Sequence, residues 1–588
     1  MKYRLTNENF VDNYGENILR ARGIEDVKSF LNPTINNKQC AYQLEEIIEG
    51  SNIVKSVLEL ENPRILMIVD CDVDGFTSSA IMYQYLKKIK EEVLIDYFIH
   101  EGKQHGLEDM IDAILENENR YNLLIIPDAS SNDFEYIEQL KQINLPVLIL
   151  DHHIVDAPIS DNCILINNQV SPFYKNKNLS GAGIVYQFCT VLDNIFGVDY
   201  ARDFIDLAAL GICADMMDGR EIENQYFWKE GFSKINNYFF LTLARKQGYS
   251  ITGKTSPSDS EIIEKLNPMT VAFYIVPLIN AMIRVGTMAE KQRLFLGFID
   301  GRKMVPCNKR GAKGTMEEVA VESVRECVNA KTHQDKDKKE ISERLEIKIH
   351  KNDLLENKVL FIRLDDDDDF PSELNGLCCM QLSAKYNKPT IVARLNDEGY
   401  VRGSARCPGK TELKSFKEFL NESGMFEYTA GHDFAFGISL SNSKLKKFHE
   451  YANEKLKDID FGENLYEVQL VREGTDKDIK DIVFDLSNYE QVWSQQNETP
   501  LLAINNIFLK NDDIQVIGKN KDTVRFEKNG ITYIKFFGKD IIEKLTQYDS
   551  MIINVIGKTA VNNWMGRLTP QIMIEDLEVK NAADDLSF

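Results

Sequence analysis

Ile65-Leu66-Met67-Ile68-Val69-Asp70-Cys71-Asp72-Val73-Asp74-Gly75 decides the fold. The apolar run is short, unbroken and rich in branched side chains, which reads as a buried strand of a parallel sheet. It ends in acids and a glycine, and a helical stretch follows over Thr77–Lys90. The pattern returns at Val93–Ile99, Leu123–Ile126, Pro146–Leu150 and Cys163–Ile166, with helical segments between several of these runs. Strand, loop, helix, strand predicts an α/β domain. In such a sheet the ligand crevice forms at the C-terminal strand ends.

The chain has 588 residues, enough for about three or four domains at roughly 100–200 residues each. Residues 1–50 read as a helical lead-in broken at Pro33, and 51–304 as the parallel-sheet domain with a mostly helical second half. Residues 305–356 are dense in charge and predict a long connecting helix or linker. Residues 357–460 form a second α/β region with strands at Val359–Leu364 and Thr390–Leu395. In 461–588, short segments punctuated by Gly and Asn lie at Ile514–Gly518, Thr523–Phe526, Thr532–Phe537, Ile552–Gly557 and Ile572–Ile574. That is the texture of a small β-barrel.

Acids outnumber Lys plus Arg by 92 to 69, a net charge of −23. This counts against a nucleic-acid coat, whose affinity comes from basic surface, but leaves room for an enzyme with a local basic channel. Ten cysteines without a C-x-x-C pair predict a reducing, cytoplasmic compartment with thiols used as small apolar residues. No run of about 18 apolar residues is evident, so no membrane span is expected. Met1–Asn17 lack the apolar core of a secretory signal. The acid run Asp365–Asp369 reads as a solvated loop.

Four features carry the chemistry. The first is Asp70, Asp72 and Asp74, three alternating carboxylates at a strand end. Bare carboxylates ~4 Å apart repel by roughly 4 kcal/mol at an effective dielectric near 20, and a hard cation reverses that sign. A calcium loop of the EF-hand type would need Glu at its twelfth position, which is Ile81 here, and a preceding helix in place of the strand. The second feature is Asp128 after Leu123–Pro127, and the third is Asp151-His152-His153 after Pro146–Leu150, which offers carboxylate and imidazole ligands suited to manganese. The fourth is Asp215, at the end of an apolar stretch that also reads as a core helix with a capping acid. Three of these features follow predicted strands, so they can converge on one crevice.

In this order the four features resemble the DHH phosphoesterase superfamily, whose motifs are D-x-D, a lone Asp, D-H-H and a later Asp. Residue by residue, the resemblance implies Asp72, Asp74, Asp128, His152 and Asp215 as ligands of two divalent ions, Mn2+ first and Mg2+ as the alternative. Asp70 would be a further ligand or a supporting group. Asp128 would bridge the ions, His153 would face the substrate phosphate, and Asp151 would support the site. Further stretches are similar to the RecJ-like branch: Ile18–Pro33, Ser180-Gly181-Ala182-Gly183, and Pro277–Arg284 with Asn280 and Arg284 retained but Leu278, Met282 and Ile283 departing. Gly403-Ser404-Ala405-Arg406 and Ala430-Gly431-His432 resemble a DHH-associated substrate-binding domain, with Ala430 in place of a glycine. Asn562–Arg567, with Trp564, resembles the end of an OB-fold, where Trp564 either stacks on a base or packs in the barrel. His105 lies in the loop after the second strand, as a substrate contact or a plain surface histidine.

The resemblance therefore implies a multidomain α/β protein with a C-terminal OB-fold barrel. Its activity would be that of a metal-dependent 5′-to-3′ exonuclease releasing 5′-mononucleotides from single-stranded DNA in repair, recombination or replication. It would work as a monomer, with a single-stranded-DNA-binding protein or a helicase as possible company. The alternatives are a DHH phosphodiesterase acting on short oligonucleotides and a non-catalytic DNA-binding replication scaffold. Retention of every metal position counts against the scaffold, and the terminal β region counts against the short-oligonucleotide enzymes.

Overall fold

In this computed structural model the described residues are 1–102, 104–117, 120–312, 314–365, 371, 374–409, 411–518, 520–564 and 567–585. Asp366–Asp369 of the acid run lie outside them, as do the side chains of His432 and Trp564. The chain divides into two compact units, one of residues 22–334 with 491–498, the other of residues 1–21, 335–490 and 499–588.

The first unit is built on five parallel strands: β1 (Arg64–Val69), β2 (Leu94–Ile99), β3 (Leu123–Pro127), β4 (Val147–Asp151) and β5 (Cys163–Asn167). Their order is β2-β1-β3-β4-β5. Successive side chains of β1 enter different cores. Ile65, Met67 and Val69 pack with the helices of the chain's middle, while Leu66 and Ile68 pack with Leu107, Ile111 and Ile137. Burial on both faces is why β1, β3 and β4 read as nearly unbroken apolar runs. The sheet order reverses between β1 and β3, so the crevice at this switch point opens beside Asp70–Asp74 and Asp128.

Helix Val73–Ile89 leaves β1 directly and packs against helices Gly181–Phe196, Ile205–Ala214 and Met288–Ile299. Its Phe76 ring lies 5.9 Å from Phe295 and 6.5 Å from Phe298. One stretch, Pro268–Val285, does reach the hydropathy of a membrane span, with a mean of 1.5 over 18 residues. It is two helices, Pro268–Tyr274 and Val276–Val285. Its Val271, Ile275, Ile279, Met282 and Ile283 belong to the buried core of this unit, which accounts for the apolar run.

In the second unit, the part of helix Val319–Lys351 from residue 335 onward contributes Ile341, Leu345 and Ile349 to a core shared with Leu360, Ile362 and Leu382. The adjoining sheet has five strands in the order Phe426–His432, Ala435–Ser441, Tyr400–Arg406, Thr390–Leu395 and Leu360–Leu364. Asp365 of the acid run pairs with Arg363 at 3.0 Å and Lys348 at 3.3 Å. The C-terminal sheet has seven strands, among them the long hairpin Ser550–Trp564 and Arg567–Asn581. Sequence patterning finds only the buried part of that hairpin. Met551, Ile553 and Val555–Gly557 are buried, whereas Asn562 and Asn563 are exposed although their backbones still pair. Residues 1–50 divide between the units: Lys2–Leu5 is a strand pairing in parallel with Leu465–Val468, and residues from Arg22 onward belong with the parallel-sheet unit.

Replacing Phe76 with Ala removes the ring that joins helix Val73–Ile89 to Phe295 and Phe298. The expected cost is about 3–5 kcal/mol, read as a lower melting temperature of the parallel-sheet unit by near-ultraviolet circular dichroism. An unchanged melting curve would contradict this packing.

Candidate metal centre

Every acid and histidine singled out after β1, β3 and β4 lies at the C-terminal edge of the sheet, and Asp215 joins them from the end of helix Ile205–Ala214. Asp70, Asp74 and Asp128 are 1%, 1% and 2% exposed. His152 Nε2 stands 3.3 Å from Asp128 Oδ1 and 3.3 Å from Asp215 Oδ2. Asp74, His152 and Asp215 offer ligand atoms within 4.8 Å of one another, and so do Asp70, Asp72 and Asp128. Asp128 also belongs to a group with His152 and His153.

Local backbone chemistry sets these positions. Asp72 caps helix Val73–Ile89, accepting from Gly75 N at 2.9 Å. Asp74 is gripped by the N-terminus of helix Gly181–Phe196: it accepts from Ser180 Oγ at 2.9 Å, Gly181 N at 2.7 Å and Ala182 N at 3.1 Å. The unpaired N–H groups and positive end of a helix favour a carboxylate there. Gly181 is small for a reason, since a Cβ there would lie 2.3 Å from Asp128 Oδ1. Asp128 itself leaves β3 in the left-handed region, at φ 69°, a conformation that Asp tolerates better than most and that concentrates at functional sites.

Asp151 is consumed by positioning. It accepts from His152 N at 2.7 Å, His153 N at 3.2 Å, His153 Nδ1 at 2.8 Å and Ser131 N at 3.2 Å. This leaves His153 Nε2 free of that bond on a ring that is 55% exposed. The two neighbouring histidines differ in protonation. Burial, reinforced by the charge of His153, pushes His152 down to about 4, so its ring is neutral at neutral pH. The hydrogen bond to Asp151 raises His153 to about 9, so it is a cation at neutral pH. Burial works against the Asp151 carboxylate, but the bond and charge of His153 outweigh it and hold Asp151 well below the usual range.

These residues fit a hard divalent cation. Burial and the neighbouring Asp72 raise Asp74 to about 6, and burial with Asp74 raises both Asp128 and Asp215. Asp70 Oδ1 and Asp128 Oδ1 are buried without a hydrogen-bond partner. Asp215 sits at a helix C-terminus, where the helix dipole repels an acid. Buried acids that repel each other, carry unpaired oxygens and face the wrong end of a helix are costly unless a cation is present.

The comparisons agree with this geometry. Residues 64–212 match the DHH family, N-terminal domain, and residues 476–576 match the RecJ OB domain. A putative SPbeta prophage-derived single-strand DNA-specific exonuclease, YorK, of Bacillus subtilis (strain 168) is 35% identical over 589 residues, 98% of each chain. The chain belongs to the RecJ-like DHH family. The single-stranded-DNA-specific exonuclease RecJ of the same bacterium is 23% identical, over 96% of this chain and 67% of its own. The crystal structure of RecJ in complex with Mn2+ from Thermus thermophilus shares the fold, with a TM-score of 0.70 at 17% identity, over 99% of this chain and 80% of that one.

The other residues expected from the RecJ-like resemblance fall in both units. His105 is no plain surface side chain: its Nδ1 donates to Asp70 Oδ2 at 2.8 Å. Asn280 and Arg284 lie on helix Val276–Val285, and no hydrogen bond among the described residues ties them to the carboxylates. Leu278 packs in the core, which suits an apolar residue at that departure. In the other unit, Ser404 and Arg406 share one face of strand Tyr400–Arg406, over the first turn of helix Asn375–Tyr386. Arg406 Nη2 would lie 2.8 Å from a Cβ at Gly376, and Ser404 Oγ 3.6 Å. A guanidinium and a hydroxyl thus lie beside the first turn of a helix, where the positive end of the helix dipole is found. Gly431 and His432 end strand Phe426–His432, which is separated from Tyr400–Arg406 by strand Ala435–Ser441, and Gly431 has φ 129°. Ala430 is exposed opposite Gly437, so its methyl meets no obstacle.

Sequence reasoning missed the exposed aromatics of the C-terminal sheet. Apolar continuity extends a strand through Phe536 and Phe537, but the strand stops at Lys535 and Phe537 takes φ 55°. Phe508, Phe536 and Phe537 are 43%, 51% and 83% exposed, and Lys528 Nζ lies 5.8 Å from the Phe508 ring. Three exposed phenylalanines beside alternating apolar segments were the available signal.

A pH prediction follows from the raised carboxyls. Asp74 at about 6, above its ordinary 3.8, means the metal-free fold holds that proton more tightly than the unfolded chain. Its contribution to stability is complete below 3.8 and is lost as pH rises through about 6. A bound cation favours the ionised form instead. Mn2+ is therefore expected to raise the melting temperature more at about pH 8 than at about pH 5. An equal shift at both would contradict the assignment.

Proposed function

We propose that this chain is a metal-dependent exonuclease that hydrolyses single-stranded DNA from its 5′ end and releases 5′-mononucleotides. The observation that carries the reading is the convergence of Asp72, Asp74, Asp128, His152 and Asp215 at the sheet's switch point, in a chain whose full-length relative is named for that substrate. Asp72, Asp74, Asp128, His152 and Asp215 would hold two divalent ions, Mn2+ or Mg2+, with Asp128 common to both and Asp70 beside them. Bound there, the ions would lower the pKa of water and neutralise charge on phosphate oxygens.

The chain's own side chains do the rest. Asp151 fixes the ring of His153 and keeps it protonated, so that Nε2 presents a proton to the scissile phosphate as charge develops. Arg406 and Ser404 beside the first turn of helix Asn375–Tyr386 would hold a phosphate by a fork and a hydroxyl, with Gly431 and His432 from a strand of the same sheet. Asn280, Arg284 and His105 complete the expected DNA contacts. Phe508, Phe536 and Phe537 would stack on bases along the C-terminal sheet, with Trp564 as a further platform. The free state of all ten cysteines supports a reducing, cytoplasmic setting. The enzyme would work as a monomer in repair, recombination or replication, on strands supplied by a helicase or a single-stranded-DNA-binding protein.

The test uses one 5′-phosphorylated oligonucleotide labelled in turn at each end, with Mn2+. Immediate release of the 5′ label as mononucleotide, with stepwise shortening of the 3′-labelled strand, is expected. Cleavage of very short oligonucleotides alone would replace this reading with an oligonucleotide-clearing one, and binding without cleavage would replace it with a scaffold. His153→Ala is expected to lower kcat about 10²–10³-fold with the fold intact. The wild-type rate should fall as pH rises through about 9, where His153 loses its proton, and the variant should lack that limb. Phe536→Ala with Phe537→Ala should weaken binding of long strands by about 1–3 kcal/mol per lost stack, in fluorescence anisotropy, and leave dinucleotide cleavage unchanged. Unaltered affinity would remove the C-terminal sheet from DNA binding.

A further inference from the structure

Cys71 lies between two acids of the metal centre and is not needed by the exonuclease reading. Its Sγ is 3.8 Å from His105 Nδ1 and 3.7 Å from His105 Nε2, and His105 Nδ1 donates to Asp70 Oδ2 at 2.8 Å. Asp70, Cys71 and His105 thus offer a carboxylate oxygen, a sulfur and an imidazole nitrogen within 4.8 Å of one another. Asp70 is 1% exposed, and its other oxygen, Oδ1, has no hydrogen-bond partner, so it stays available to the hard-cation centre while Oδ2 faces His105. His105 is 60% exposed on its side chain, so an ion has a way in from solvent.

We propose that Asp70, Cys71 and His105 form a separate site for a soft divalent cation, with Zn2+ as the natural occupant, adjoining the hard-cation centre through Asp70. Oxygen-only sites suit Mg2+ and Mn2+, whereas thiolate with imidazole selects zinc-like ions. Bonds of about 2.0–2.3 Å in a tetrahedron space the ligand atoms by about 3.3–3.6 Å. The sulfur–nitrogen separations are already within a few tenths of an ångström of that. The Asp70–His105 pair must open by roughly half an ångström as the ion replaces their shared proton. Binding releases that proton and the Cys71 thiol proton, leaving a thiolate, an imidazole and a carboxylate on the ion, with water as the fourth ligand. Asp70 then serves two cations with opposite oxygens, so an ion at Cys71 draws this carboxylate away from the hard-cation centre. Zn2+ at this site is an inhibitor of the Mn2+-supported reaction.

The test is a titration of the full chain with Co2+ in the presence of excess Mg2+, followed by displacement with Zn2+. Thiolate-to-cobalt charge transfer in the near ultraviolet is the readout, and it does not depend on nuclease activity. The wild type is expected to develop the band and lose it to Zn2+. Cys71→Ser is expected to lack it, while keeping the wild-type circular dichroism and Mn2+-supported rate. His105→Ala should bind Co2+ roughly tenfold or more weakly. Absence of the band in the wild type, or an equal band in Cys71→Ser, would overturn the site. Zn2+ should inhibit the wild type and spare Cys71→Ser, and equal inhibition of both would overturn the inhibitory role. Only this last arm and the Mn2+-supported rate of Cys71→Ser rest on the exonuclease reading. A chain that binds Co2+ through Cys71 yet cuts no DNA would refute that reading and leave the site standing.

Discussion

Repulsion among buried carboxylates is the constraint on which the rest depends. Asp70, Asp74 and Asp128 are almost wholly buried, and Asp72 and Asp215 join them in the groups that offer ligand atoms within 4.8 Å. At an effective dielectric near 20, a pair of charges ~4 Å apart costs about 4 kcal/mol. A protein that folds with several such pairs must either protonate them or bind cations between them. Burial and mutual repulsion raise Asp74, Asp128 and Asp215, which is the direction of the first outcome. The unpaired oxygens of Asp70 and Asp128 show room for the second.

The fold concentrates this charge by ordinary means. Parallel strands deliver their C-terminal ends to one edge, and the reversal of order between β1 and β3 leaves a crevice there. Helix N-termini at Asp72 and at Ser180–Ala182 favour the acids nearest to them. Asp151 is treated differently: four donors surround it, and its charge sustains a protonated His153 beside a neutral His152. One dipeptide thereby carries two rings in different protonation states, separated by which ring touches Asp151.

Much of this was legible in the sequence because it is local. β1, β3 and β4 announce themselves as apolar runs, and their acids follow at once. Ser180-Gly181-Ala182 was legible as a motif, but its purpose was not, since Asp74 lies 106–108 positions away. The same holds for His105, whose partner Asp70 is 35 residues distant. The parallel pairing of Lys2–Leu5 with Leu465–Val468 spans nearly the whole chain, and no short-range pattern signals it. Phe537 escaped for another reason: a left-handed φ ended the strand where apolar continuity suggested that it ran on.

The central claim is that the acids at the switch point exist to hold a pair of hard cations. Anomalous scattering from crystals of the intact chain grown with Mn2+ tests it most directly. Two peaks about 3.5–4 Å apart, both in contact with Asp128, with His152 and Asp215 on one of them, are the expected result. A single peak elsewhere, or none among these carboxylates, would contradict the account.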